Sequence, residues 1–200
     1  SLTAPRDCTL TSTGVTPLCD LAGEYLPGHA GGLYPGGTNV RPAAHEVVGT
    51  DIATNHVVPR DAAGAVDLVG GKIGMISIGM SNTSQEFSVF VTDANAEPAK
   101  NPALVVVNGA QGGQPASAWV SPTANTWTVL ADRVEDALLE PLQVQVAWIK
   151  QAEPGPQSLG SFPLHAEVLQ ANLEAILVNL RAAYPNLRLC YLSSRTRAYT

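Results

Sequence analysis

From Lys72 onward the chain alternates two kinds of hydrophobic pattern. Four short, nearly continuous apolar runs occupy residues 72–79 (KIGMISIG), 103–108 (ALVVVN), 142–149 (LQVQVAWI) and 187–194 (LRLCYLSS). Runs of that length and continuity predict strands covered on both faces. Between them, apolar residues recur at helical spacing. After Ser81 the residues Phe87, Phe90, Val91 and Ala94 share one face, and Thr83-x-x-Glu86 fits a capping box with Thr83 as N-cap and Glu86 at N3. Residues 125–139 predict a second helix with Leu130, Val134, Ala137 and Leu138 on its apolar side. The segment from His165 to Tyr184 predicts a third, with a stripe of Leu169, Leu173, Ile176, Leu177 and Leu180 that Pro185 stops. Strand and helix in strict alternation imply a parallel sheet with helices on both faces.

Before Lys72 the pattern breaks down. Residues 1–40 are rich in Gly, Pro and Thr and carry little periodicity, which predicts an irregular arm wrapping the domain. PAAHEVVGTDIA then reads as one short helix, with Pro42 at its first position. The expected organisation is an arm with a short helix over residues 1–60, packing on an α/β domain over residues 61–200.

Composition narrows the function. The 200 residues suffice for one domain with a full core. Net charge is −6, from 11 basic and 17 acidic residues, and no Lys/Arg cluster stands out, so nucleic acid and anionic membranes are not expected partners. No apolar run reaches bilayer-spanning length. Of the three cysteines, Cys190 falls in an apolar run and reads as a buried thiol. Cys8 and Cys19 flank the core-poor stretch TLTSTGVTPL, where a disulfide would lower unfolded-state entropy. That pairing predicts a secreted or periplasmic protein, the alternative being two free thiols. No Cys/His set has metal-ligand spacing, and no cofactor is implied.

In an open parallel sheet, sites form beyond the carboxyl ends of the strands. Here that selects residues 79–82, 108–114, 148–151 and 193–195. Ser81 lies between an apolar strand and a helix start, where backbone N–H groups and the helix dipole favour negative charge; it is a nucleophile candidate or simply a cap. The Gly-rich NGAQGGQ at 108–114 offers backbone N–H groups at close range, or is an ordinary turn. Lys150 at the third strand end is a possible anion donor or a solvated lysine.

Taken together, IGMSN after the first strand and N-x-A-x-G-G after the second resemble the first two sequence blocks of the SGNH (GDSL-type) hydrolases. The run GGLYPGGTNVRPAAHE…GKIGMISIGMSNTSQEF…VVVNGAQGGQ…VQVAWIKQA…FPLHAE…YLSSR resembles more narrowly a little-characterised bacterial branch of that superfamily, over nearly the whole chain. The resemblance implies a flavodoxin-like three-layer α/β/α fold. It implies Ser81 as nucleophile, oxyanion donors at the N–H groups of Ser81 and Gly113, and a carbohydrate or small acyl ester as substrate.

Three positions depart from that pattern. Met80 stands where the superfamily has Asp. The third block supplies Lys150 or Gln151 where an Asn is usual. No Asp-x-x-His follows Ser81, whose only later histidine, His165, opens a predicted helix and reads as a first-turn residue rather than a base. The expectation is therefore an ester hydrolase whose acid–base pair lies outside this chain, on a missing C-terminal part or on a second chain completing the fold. The alternative is a non-catalytic binding or structural module that self-assembles. His29, Arg41 and His45 read as partners for arm backbone groups, and Trp119, Trp127 and Trp148 as packing residues.

Overall fold

A computed structural model describes residues 22–193, which fall into two compact units divided after Thr50. In the first unit, strands β1 (Glu24–Leu26) and β2 (His29–Ala30) form a small antiparallel hairpin. Gly23 N–H donates to the Gly37 carbonyl at 2.6 Å, and Tyr34 bridges Thr38, so glycine-rich turns close on one another. Helix α1 (Ala43–Asp51) follows Pro42 and runs into a π-helical turn at Ile52–His56. The arm is therefore more regular than its composition suggests. The expected Cys8–Cys19 pair lies outside the described residues.

The second unit holds a four-stranded, all-parallel sheet in the order β4-β3-β5-β6. Its strands are β3 (Ile73–Gly79), β4 (Leu104–Val107), β5 (Val144–Lys150) and β6 (Leu189–Leu192). Helices α2 (Ser81–Ala96), α3 (Asn125–Asp136) and α4 (Leu164–Ala183) connect them in turn. The order is flavodoxin-like. Because the chain moves one way from β3 to β4 and the other way afterwards, uniform crossover handedness puts α2 on one face and α3 and α4 on the other. Packing agrees. The Phe87 ring of α2 stacks on Trp148 of β5 at 5.6 Å. On the opposite face Leu130 and Val134 of α3, and Ile176 and Leu180 of α4, join Ile76, Ile78, Ala147 and Ile149 in one buried cluster. The result is a three-layer α/β/α unit.

Residues 57–72 pack at the amino end of the sheet. The Gln145 side chain, fully buried within β5, accepts from the Val58 N–H and donates to the Val58 carbonyl, while Arg60 pairs with Lys72 through backbone bonds. This polar residue between two buried valines is satisfied by a loop that carries few ladder bonds of its own.

Two expected details are corrected. Thr83 is not the N-cap of α2. The helix begins three residues earlier, at Ser81 with Met80 in the N-cap position, and Thr83 is a buried residue of its first turn whose hydroxyl donates to the Lys150 carbonyl at 2.8 Å. The stronger pull is tertiary, because Thr83 faces the sheet and finds an acceptor there. Leu138 is not on the apolar face of α3. It lies past the helix end at φ 57° and is exposed. Leu139 N–H donates to the Val134 carbonyl and Leu138 N–H to the Glu135 carbonyl. These are the two bonds of a Schellman termination, which turns the chain and buries Leu139 in place of Leu138.

Candidate active site

Strand β3 delivers the chain to the carboxyl edge of the sheet, and the β3–α2 turn is as short as backbone permits. A Cβ on Gly79 would lie 2.4 Å from the Thr83 side chain, so only glycine lets helix α2 start this close to its strand. Ser81 is then the first residue of α2, exposed at the mouth of the sheet. Among the described residues nothing hydrogen-bonds its hydroxyl or its N–H. The N–H is one of the helix's unfilled donors.

The loop after β4 is drawn over Ser81. Gln111 N–H donates to the Gly79 carbonyl at 2.9 Å, and the buried Gln111 side chain donates to the Thr126 carbonyl at the start of α3. Ser77, buried in β3, accepts from the N–H groups of Gly109 and Ala110 and donates to Asn108 Oδ1. Asn108 Nδ2 in turn donates to the Ser84 carbonyl and the Ser88 hydroxyl of α2. Arg133 donates to the Asn108 and Ala110 carbonyls. Held in this way, the loop brings Gly112 so near that a Cβ there would lie 3.8 Å from the Ser81 Cβ. Gly113 has φ 73°, a left-handed conformation, is exposed, and has no acceptor for its N–H among the described residues.

The third strand end is closed differently from expectation. Lys150 is not solvated. It is 7 % exposed, and its ammonium reaches both carboxylate oxygens of Glu86, at 2.7 and 2.6 Å. Glu86 is therefore the counter-charge of a lysine on the sheet, not the N3 residue of a cap. Gln151 is also buried, donating to the Gln114 carbonyl at 3.2 Å. Both residues brace the site instead of pointing free donors at it. Glu153 completes the closure by accepting from the Ser117 N–H and hydroxyl and from Asn172 of α4. The sequence carried a signal for Glu86, since a lysine ending a strand buried on both faces needs an anion. Glu153 had none, because its partners lie 36 and 19 residues away.

The structure thus brings Ser81 and the glycine loop together and keeps Lys150 on Glu86. His165, in the first turn of α4, packs edge-on against Phe162 at 5.9 Å, and its Nδ1 is buried without a partner. No hydrogen bond joins it to Ser81. In the first unit His45 meets Tyr34 edge-on at 5.9 Å, Arg41 pairs with Glu46, and His29 lies in β2. Trp119 and Trp127 are buried against each other, and Trp148 donates from its indole to Ser193. Among the described residues no group of His, Cys, Asp and Glu is placed to hold a metal ion, and no helix is long and apolar enough to cross a membrane. No protein-family model, curated protein or solved structure matches the chain.

Proposed function

We propose that the protein is a secreted or periplasmic serine ester hydrolase of SGNH type, acting on a carbohydrate or small acyl ester. The observation that carries this reading is the juxtaposition at the sheet mouth. An exposed Ser81, whose hydroxyl and N–H no described residue claims, sits at a helix N-terminus beside a loop whose Gly112 and Gly113 carry no side chains. In this reading Ser81 Oγ attacks the ester carbonyl. The carbonyl oxygen becomes an oxyanion held by the N–H groups of Ser81 and Gly113 at the positive end of α2. The serine proton passes to a histidine outside this chain, held by an Asp, which returns it to the departing alcohol as the C–O bond breaks. Water then releases the acyl group by the reverse relay. Lys150 is left out of the oxyanion set because Glu86 holds its charge.

The second reading, a non-catalytic binding or structural module, is favoured by one observation: no described residue is within hydrogen-bond reach of Ser81 as a base. The two separate in one experiment. The natural protein is treated with a fluorophosphonate, and the labelled peptide is mapped by mass spectrometry. Label on Ser81, lost in a folded Ser81→Ala variant, is the expected result. A folded protein that takes up no label at Ser81 overturns the hydrolase and leaves the module.

A further inference from the structure

Away from Ser81, at the amino end of the sheet, the groove between α3 and α4 contains a cavity of about 330 Å³. Its wall includes Trp127 and Ala131 of α3, Tyr184 just past α4, and the carboxylate-bearing Glu135 and Glu140. Two features of this cavity bear on the charge of its occupant and two on its body. Both helices end here, and that end of a helix favours cations, as the Lys72 ammonium on the Leu138 carbonyl past the end of α3 already illustrates. The two glutamates add formal negative charge, and neither carboxylate is engaged in an ion pair among the described residues. Trp127 spends its indole N–H on the Trp119 carbonyl at 3.0 Å, so what it has left to offer a ligand is its ring. Tyr184 is 3 % exposed, yet its hydroxyl has no hydrogen-bond partner among the described residues. The hydroxyl is not among the fully enclosed unpaired polar atoms, so it is open to a partner in the cavity it lines.

We propose that this groove is a binding site for an organic ammonium ion with an apolar body. The aromatic rings and the aliphatic wall take the body and the face of the cation, and Glu135 and Glu140 take the charge. Tyr184 supplies one hydrogen bond. Burial pushes its pKa up to about 12, so it remains a neutral donor throughout the physiological range. A neutral molecule of the same shape would gain only the apolar part, and an anion would meet two carboxylates and two unfavourable dipole ends. The site does not depend on Ser81 or on esterase activity.

The test uses benzyltrimethylammonium as probe, titrated into the protein by calorimetry while the Trp127 indole N–H is followed by NMR. Benzyl alcohol and benzoate serve as neutral and anionic controls. Saturable binding of the cation with a shift of the Trp127 signal is expected. It should weaken roughly 3- to 10-fold in Glu135→Gln/Glu140→Gln and weaken as salt is raised. Ala131→Phe, which fills the groove from an exposed position, should abolish it. Equal affinity for benzyl alcohol, an unchanged affinity in the double glutamine variant, or no saturable signal up to roughly 20 mM probe would each overturn the proposal. Melting curves of the variants establish that they are folded when tested.

Discussion

Leu138 occupies φ 57° with its side chain 77 % exposed, so the Schellman turn that closes α3 is built on a residue poorly suited to it. Leu138→Gly removes that strain and loses almost no packing. The expected gain is about 0.5–1 kcal/mol, seen as a higher urea midpoint at unchanged slope. Gly109 is the opposite case. A Cβ there would lie 2.5 Å from the Ser77 carbonyl oxygen and 2.3 Å from a Leu130 methyl, and the carbonyl belongs to a central strand that cannot yield. Gly109→Ala should cost on the order of 1–3 kcal/mol by overpacking and should loosen the loop against Ser81. Neither property is visible in sequence, where Leu138 continues an apolar stripe and Gly109 is one of several loop glycines.

Helix α2 is held to the sheet by an apolar contact and an ionic one: Phe87 on Trp148, and Glu86 on Lys150. The ion pair is asymmetric, with the lysine buried and the glutamate half in water. Removing only the anion strands a buried ammonium, whereas removing both charges leaves a neutral contact. Glu86→Gln should therefore destabilise by about 1–3 kcal/mol, and Glu86→Gln/Lys150→Met should lie closer to the wild type than Glu86→Gln does. Chemical denaturation of the three proteins decides the matter. Equal loss in single and double variants would mean that the pair's geometry, not the stranded charge, is what matters. The α4 stripe was legible as a period: Ile176 and Leu180 are fully buried, with Leu169, Leu173 and Leu177 packed around them. Where α2 begins was not, because Thr83 is recruited by a carbonyl 67 residues away.

Stability of the whole molecule should fall steeply in alkali, and two residues carry a share of that fall. Burial raises Cys190 from 9.0 to about 11 and Tyr184 from 10.0 to about 12. In both cases the folded state resists losing the proton that the unfolded chain gives up readily. Their contribution is intact below pH 9 and disappears as pH rises through 9–11 for the thiol and 10–12 for the phenol, at most about 2–3 kcal/mol each. Denaturation midpoints at pH 8, 10 and 11 should drop less in Cys190→Ala/Tyr184→Phe than in the wild type. Thiol counting tests the proposed location on the same scale: unfolded without reductant, a protein with the Cys8–Cys19 bridge shows one reactive thiol of its three cysteines, and all three appear after reduction.

The alternation of continuous apolar runs with helical stripes was enough to determine the three-layer α/β class, the parallel sheet and the edge on which Ser81 and the 108–114 loop would meet. Those are properties of period and order along the chain, and they depend on neighbours within a few residues. Which polar residues satisfy one another depends on positions that only folding makes adjacent. Lys150 finding Glu86, Gln145 finding Val58, Glu153 joining Ser117 to Asn172, and a cavity opening between two helix C-termini all depend on distances set by the sheet. A buried polar group must have a partner somewhere, and the linear pattern shows that need without showing where the partner will come from.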